Sequence, residues 1–334
     1  MPQSEPQTYG QSEHVPDAFG FVERSACPIC GTSRSETVFL SSFGEGAIGR
    51  FIRDYYGVDS KLLGAAPYEL MRCRDCSLIF QRFAGDDALL GELYGKWINH
   101  SYVPELDAQY QAEVSAPLRS RDGHEILVAA DVLGVKAEEM TVLDFGMGWG
   151  MWARVAKQLG CDVYGREIAV DRVEYAARHG VRPIEMDELD RPMFDFINTE
   201  QVMEHVRDLG STATQLAHSL RPNAILKISV PNAERAFKIA EALRSGRCRG
   251  SIDELMPVHP LEHVNSFTRR ALSSFAERLG LEVIRPRLGQ RFAFLKRRGS
   301  IMVTEPAKAM KELARPVYQY HNRSNLYVWM RKRA

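Results

Sequence analysis

Four cysteines form two Cys-x-x-Cys pairs near the N-terminal end of this 334-residue chain. The pairs are Cys27-Pro-Ile-Cys30 and Cys73-Arg-Asp-Cys76, and a wide interval separates them. Two such turns together supply the four sulfur ligands of one tetrahedral Zn²⁺ ion. Because four thiolates leave no open coordination position, the pattern predicts a structural zinc site. The alternatives are a redox dithiol and two unrelated pairs of buried cysteines.

The glycine-rich segment Asp144-Phe-Gly-Met-Gly-Trp-Gly150 is a second chemical motif. It overlaps the end of a predicted strand, Thr141–Phe145, and directly precedes a predicted helix. Glycine has no Cβ, so the backbone at Gly146, Gly148 and Gly150 can turn sharply and approach a ligand. In an open parallel sheet, such a ligand lies beyond the carboxyl ends of the strands.

The acidic residues around this loop favour S-adenosylmethionine over a dinucleotide. A dinucleotide loop, Gly-x-Gly-x-x-Gly, needs its third glycine at the position of Met151. Asp144 would repel a pyrophosphate but attract an ammonium group, and S-adenosylmethionine carries an amino group and a sulfonium. Glu167, after the second predicted strand, is expected to accept both ribose hydroxyls, and Asp187, after the third, the adenine amino group. The alternative is a dinucleotide-binding or ligand-free Rossmann domain.

Glu204 and His205 follow the fourth predicted strand and are the candidates for proton transfer. S-adenosylmethionine, if bound here, would donate its methyl group by in-line displacement at the sulfonium carbon, so an enzyme that uses it mainly supplies position and, where needed, a base. His205 is expected to take the proton of the acceptor, with a rate that falls below about pH 6 as the ring protonates. Glu204 is expected to orient the ring or bind a substrate hydroxyl. The alternative is that both cap a helix; His263 is the second candidate base.

Strand and helix signals alternate from Thr141 onwards, which predicts a parallel sheet with helices on both faces. The predicted strands are Thr141–Phe145, Asp162–Gly165, Val181–Pro183, Phe194–Thr199, Ala224–Val230, Leu281–Arg287 and Leu326–Arg331. The predicted helices between them are Met151–Leu159, Val170–His179 and Glu204–Leu220.

Three of these segments carry a resemblance to a known family. The glycine loop resembles the first motif of class I S-adenosylmethionine-dependent methyltransferases. Phe194–Val206 is similar to their fourth-strand motif, and Leu220–Asn232 to their Leu-Lys-Pro-Gly-Gly motif, with Asn223 and Ala224 in place of the two glycines. Because asparagine tolerates a left-handed turn, the turn is expected to survive. The resemblance implies an α/β, Rossmann-like sheet of seven strands in the order 3-2-1-4-5-7-6.

The resemblance also indicates which class of molecule accepts the methyl group. The segment His259–Thr268 is similar to one found in the subgroup that methylates small molecules such as sugars and quinones. N-terminal zinc modules precede the catalytic domain in some sugar C-methyltransferases. Some ribosomal-RNA methyltransferases also carry one, with closer ligands and usually a histidine. The wide cysteine spacing favours the small-molecule group, with a sugar, natural-product or cell-envelope intermediate as the acceptor.

Charge and hydropathy narrow the possible partners and location of the protein. Lys plus Arg and Asp plus Glu each number 43, whereas nucleic-acid binding usually requires excess basic charge. A nucleic-acid partner is therefore not expected, and no apolar run reaches the roughly 18 residues of a membrane span. The N-terminus lacks a secretory signal, so we expect a cytoplasmic protein. An RNA methyltransferase and a non-catalytic S-adenosylmethionine-binding scaffold stay open as alternatives; the oligomeric state is not predicted.

Four regions follow from these motifs: a flexible lead-in over 1–24, a zinc-binding module over 25–85, a helical linker over 86–134 and the methyltransferase domain over 135–334.

Overall fold

The computed structural model describes residues 18–98, 104–296 and 324–334, together with Met310, Leu313, Ala314 and Val317. Most of the predicted lead-in, residues 1–17, therefore lies outside the described residues. Within the described ranges, no helix is both long and apolar enough to span a bilayer.

The N-terminal part is built from short antiparallel strands and one helix. Its elements are β1 (Phe21–Glu23), β2 (Ser35–Ser42), α1 (Gly46–Tyr56), β3 (Pro67–Cys73), β4 (Ile79–Gln81) and β5 (Phe83–Gly85). Strand β1 pairs with β5, so the last residues of the predicted lead-in are held in a two-stranded sheet. The following segment contains α2 (Asp87–Glu92), a π-helical turn (Leu93–Trp97), α3 (Ala108–Ser115) and α4 (Arg121–Leu133).

The rest of the chain alternates strands and helices. Its strands are β6 (Thr141–Phe145), β7 (Asp162–Arg166), β8 (Arg182–Pro183), β9 (Phe194–Glu200), β10 (Leu220–Pro231), β11 (Asn265–Ser266), β12 (Leu281–Ile284) and β13 (Asn325–Lys332). Its helices are α5 (Met151–Gln158), α6 (Val170–Arg178), α7 (Leu209–Ser219), α8 (Ala236–Arg244), α9 (Ile252–Leu255), α10 (Arg269–Arg278) and α11 (Leu288–Arg291).

Seven of these strands form one mixed sheet in the order β12-β13-β10-β9-β6-β7-β8. Numbered along the chain, its strands read 3-2-1-4-5-7-6 from the β8 edge, which is the predicted order. The five strands from β6 to β10 pair in parallel, and β13 pairs antiparallel with β10 and β12. Strands β6 and β9 lie side by side at the centre of the sheet. Their carboxyl ends therefore flank the point where the strand order reverses, which is the usual ligand crevice of such sheets.

The second sheet has four strands in the order β11-β4-β3-β2. Three of them come from the predicted zinc module, but β11 comes from the long segment after β10. Asn265 pairs with Phe80 and Ser266 with Ile79. This strand addition joins the N-terminal module to the chain segment that carries His259 and His263.

Three predicted boundaries are wrong. The helix after β9 begins at Leu209, so Glu204 and His205 lie in a turn and do not cap a helix. Asn265 explains this change: its side-chain amide donates to the carbonyls of Met203 and Val206, and its backbone N–H donates to Glu204. Carbonyls engaged in this way are not available for a helical ladder.

The other two differences lie at strand ends. Strand β10 begins at Leu220, before Pro222, because the chain passes directly from α7 into the sheet. Asn223 adopts a left-handed conformation with φ of 66°, which confirms that asparagine replaces glycine in this turn. Strand β12 ends at Ile284, two residues before Pro286, which cannot donate a ladder hydrogen bond.

Thr268 is the N-cap of α10. Its hydroxyl accepts a hydrogen bond from the N–H of Ala271 (3.1 Å) and donates to the carbonyl of Ser77 (3.4 Å). Ser77 directly follows Cys76, so this one side chain connects α10 to a cysteine turn.

Replacing this hydroxyl should destabilise the protein without changing the shape of the side chain. Thr268→Val should lower the free energy of unfolding by about 1 kcal/mol, the usual cost of losing a cap. Thr268→Ser, which keeps the hydroxyl, should unfold close to the wild-type urea midpoint. Equal midpoints for the valine and serine variants would show that the cap contributes nothing.

Candidate functional site

The glycine loop after β6 is shaped by left-handed backbone. Gly146, Gly148 and Gly150 have φ values of 72°, 53° and 74°, which side chains disfavour. A Cβ on Gly146 would lie 2.4 Å from Cγ2 of Val202, whereas a Cβ on Gly148 would meet no atom within 4 Å. Packing against Val202 therefore leaves no room for a side chain at Gly146. The backbone of Gly148 borders open space where a ligand can approach.

Glu167 lies directly after β7 and faces this loop. Its Oε2 accepts a hydrogen bond from the N–H of Gly148 (2.9 Å), and its Oε1 accepts from Ile168 (2.8 Å) and Ala169 (3.2 Å). These three donors fix the carboxylate at the edge of the sheet beside the loop. Asp187 lies in a 3₁₀ turn after β8 at the same edge, with its side chain exposed.

Asp144 lies at the penultimate position of β6, beneath the loop, and is only 3% exposed. Its Oδ1 accepts a hydrogen bond from Nδ2 of Asn198 (2.7 Å) on the neighbouring strand β9. Burial raises the pKa of Asp144 to about 7, although the hydrogen bond from Asn198 opposes this shift. A buried carboxylate of this kind attracts a cation that enters the crevice.

The Glu204–His205 turn and His263 meet at the same edge of the sheet. The rings of His205 and His263 are 4.9 Å apart, and the ring of His259 stacks on His263 at 4.6 Å. Nε2 of His205 lies 4.0 Å from Oε1 of Glu204. His205 and His263, the two candidates for the base, are therefore neighbours in one cluster that also contains Glu204.

Burial controls the protonation of this cluster. It lowers the pKa of His205 to about 4 and that of His263 well below the ordinary histidine value. It raises the pKa of Glu204 to about 8, and neither carboxylate oxygen of Glu204 has a hydrogen-bond partner among the described residues. The expectation that His205 protonates near pH 6 is therefore wrong, because the neutral ring persists to lower pH.

Two residues of this cluster were missed in the sequence because distant segments supply them. The hydroxyl of Tyr94, in the linker, lies 3.0 Å from Nδ1 of His205. Tyr56, on α1, donates to Oε1 of Glu262 (2.7 Å) beside His263. Neither tyrosine has a local motif that would indicate this role.

A buried lysine was also missed. Lys227 on β10 is fully buried, and its Nζ donates to Oδ1 of Asn198 (2.8 Å), the residue that contacts Asp144. A signal for it exists in the sequence, because Lys227 lies between apolar residues, after Ile225 and Leu226 and before Ile228. A charged residue in a buried strand requires polar partners, which the pattern alone does not identify.

The four predicted zinc ligands converge. Their sulfur atoms all lie within 4.8 Å of one another; the Cys27–Cys76 distance is 3.5 Å and the Cys30–Cys73 distance is 3.4 Å. Sulfurs around a tetrahedral zinc, at about 2.3 Å each, would be about 3.8 Å apart. The sulfur-only donor set and its spacing therefore fit a Zn²⁺ ion.

The local backbone of the two cysteine turns is the same. In each turn, the residue after the second cysteine donates to the carbonyl of the first: Gly31 to Cys27 (2.9 Å) and Ser77 to Cys73 (3.0 Å). Gly31 and Ser77 both have φ of 67°. Two turns of equal geometry thus present their thiols to a common centre.

Comparisons with known proteins agree with this architecture. A family model described as a methyltransferase domain matches residues 118–285. A ubiquinone biosynthesis O-methyltransferase of Rhodopseudomonas palustris (strain TIE-1) is 26% identical over 113 residues, covering 31% of this chain and 45% of the relative. Its counterpart in Bradyrhizobium diazoefficiens is 29% identical over 111 residues, covering 30% and 44%. The chain thus spans less than half the length of the curated relatives it matches.

Among solved structures, 1,6-didemethyltoxoflavin-N1-methyltransferase from Burkholderia thailandensis is 16% identical, with a TM-score of 0.39. That match covers 74% of this chain and 86% of the other. The family model spans just over half of the chain and includes the glycine loop, Glu167 and the Glu204–His205 turn. This chain therefore belongs to the family of class I, S-adenosylmethionine-dependent methyltransferase domains.

Proposed function

We propose that this protein transfers the methyl group of S-adenosylmethionine to a small-molecule acceptor, a sugar or another natural-product or cell-envelope intermediate. The observation that carries the proposal is the position of Asp144, Gly148 and Glu167 at the carboxyl ends of β6 and β7, with the Glu204–His205 turn following the end of the neighbouring strand β9. The O-methyltransferases of ubiquinone biosynthesis among the relatives support a small acceptor.

In this proposal, the cofactor is held through its charged and polar groups. Asp144 faces the amino group, and the open backbone at Gly148 lies against the cofactor, with Gly146 and Gly150 shaping the turn. Glu167 exchanges its bond to Gly148 for the two ribose hydroxyls, and Asp187 accepts from the adenine amino group. These are charge-assisted hydrogen bonds, which are stronger than neutral ones.

The reaction requires a proton acceptor when a hydroxyl or an activated carbon is methylated. The bond from the sulfonium sulfur to the methyl carbon breaks as the bond from the acceptor atom forms, and S-adenosylhomocysteine leaves. His205 takes the proton that the acceptor loses, and Glu204, 4.0 Å from its Nε2, orients the ring. His263, whose ring packs against that of His205, is the alternative base.

A structural zinc ion completes the proposal. Cys27, Cys30, Cys73 and Cys76 would hold it, and with four thiolates it has no position for substrate. Three of these cysteines share an apolar core with Leu272 and Phe275 of α10. The ion would therefore fix the module of residues 25–85 on the catalytic domain, residues 135–334, and the linker between them would carry Tyr94 to the site.

Metal analysis tests the zinc site. Purified protein should contain about one zinc per chain, and Cys73→Ser should lose both the metal and thermal stability, since metal binding is coupled to folding. Cys248→Ser, at a buried cysteine outside the cluster, is the matched control and should keep its zinc. Metal-free protein prepared without chelator would contradict the proposal.

Calorimetry with S-adenosylhomocysteine tests the cofactor site. Glu167→Ala should weaken binding by about 1–3 kcal/mol, the usual loss for a hydrogen-bonded charged group. Glu174→Ala, an exposed carboxylate on α6, should bind as the wild type does. The assignment of this loop would be wrong if NADH bound more tightly than S-adenosylhomocysteine.

Single-turnover assays with saturating cofactor test His205. His205→Asn should leave cofactor affinity nearly unchanged and lower turnover about 100-fold, the lower scale of general-base catalysis. Because the pKa of His205 is lowered to about 4, the wild-type rate should stay level as the pH falls from about 7.5 to 5.5, where an ordinary histidine would protonate. Near-normal turnover in the variant would make His205 structural and leave His263 as the base.

A further inference from the structure

Lys227 places a cation in the middle of the large sheet. Its side chain has no exposed surface, and burying an unpaired ammonium group is costly, so its partners must offset the loss of water. Backbone register puts Lys227 opposite Asn198, and Asn198 opposite Asp144. A polar row therefore crosses strands β10, β9 and β6 and ends at the carboxylate beneath the glycine loop.

Within the described part of the chain, the ammonium group of Lys227 has three polar partners. Nζ lies 2.8 Å from Oδ1 of Asn198 and 3.2 Å from Oε1 of Glu125, and it also donates to the carboxylate of Glu200. Glu125 also accepts from Nε1 of Trp152 (3.0 Å), in the first turn of the helix that follows the glycine loop. Lys227 thus connects strand β9 to helix α4, whose Glu125 in turn contacts the helix after the glycine loop.

The contact with Asn198 determines which way its amide points. An amide has one acceptor oxygen and one donor nitrogen, and Lys227 can only donate. With the oxygen held by Nζ, the nitrogen of Asn198 must face Asp144, and it does so at 2.7 Å. Asp144 is thereby kept as a hydrogen-bond acceptor, the form that a bound ammonium group needs.

We infer that Lys227 is a positioning residue of the cofactor site, acting through Asn198 to keep the carboxylate of Asp144 ionised and oriented toward the cofactor's amino group. This inference rests on the proposed function, in which Asp144 faces that amino group.

The surroundings of Asp144 give this inference a pH dependence. Burial raises the pKa of Asp144 to about 7 and the negative charge of Asp122 on α4 raises it too, whereas Asn198, Lys227 and the N–H of Ala153 on α5 lower it. Removing the positive charge of Lys227 should therefore raise the pKa further. A protonated Asp144 cannot pair with an ammonium group, so affinity should then be lost at a higher pH than in the wild type.

The test measures S-adenosylmethionine binding by calorimetry between pH 6 and pH 9. In Lys227→Met, affinity at pH 7 should be about five- to tenfold weaker than in the wild type, and the ratio of the two affinities should approach one near pH 9. The ratio at each pH cancels the titration of the cofactor's own amino group, which loses its proton in the same range. Arg121→Met is the matched control: Arg121 lies 3.6 Å from Glu200 and 3.0 Å from Asp122 but does not contact Asn198. Its curve should shift by much less.

Asn198→Asp is the second variant, because it keeps a partner for Lys227 if the methionine variant does not fold. Two adjacent carboxylates cannot both ionise readily, so its affinity curve should also move to higher pH. An unshifted curve in a folded Lys227→Met or Asn198→Asp variant would overturn the inference, as would an equal shift in Arg121→Met. Unchanged binding in Asp144→Asn would instead overturn the proposed cofactor role of Asp144.

Discussion

The site depends on one residue, Asn265, which joins three parts of the chain. Its backbone pairs with β4 of the N-terminal sheet, and its side-chain amide donates to the turn that carries Glu204 and His205. Its Oδ1 accepts from the guanidinium of Arg24 (2.8 Å), so every polar atom of this fully buried side chain is used. Since a buried amide without partners is costly, this arrangement fixes the turn in one position.

The N-terminal module has a role beyond its own fold because of this connection. Tyr68 and Gln81 donate to backbone carbonyls of Val258, His259 and His263, which holds the histidine segment from the side of the small sheet. The paired cysteines lie in the core shared with α10, so the module is anchored at both ends. Precise positioning of this kind is what methyl transfer requires of an enzyme, because the chemistry is a displacement along one line.

Charge is distributed unevenly around the crevice. Among the described residues there, four carboxylates are opposed by two cations, Arg121 and Lys227; the carboxylates are those of Asp122, Glu125, Asp144 and Glu200. A cofactor that carries an ammonium and a sulfonium group complements this excess. Asp122, Asp144 and Glu125 are buried, which strengthens the attraction, since Coulomb interactions grow as water is excluded.

The sequence by itself determined the local features, because each depends on the types and spacing of neighbouring residues. These features are the strands of the large sheet, the glycine loop, its acidic partners and the cysteine pairs. Only the tertiary structure decided what depends on distant partners. Asn265 turned the predicted helix start at Glu204 into a turn, and burial moved the pKa of His205 away from pH 6. Tyr94 contacts His205, and Lys227 contacts Asn198, although each pair is far apart in the chain. Local periodicity does not identify such distant partners, because these contacts depend on tertiary packing.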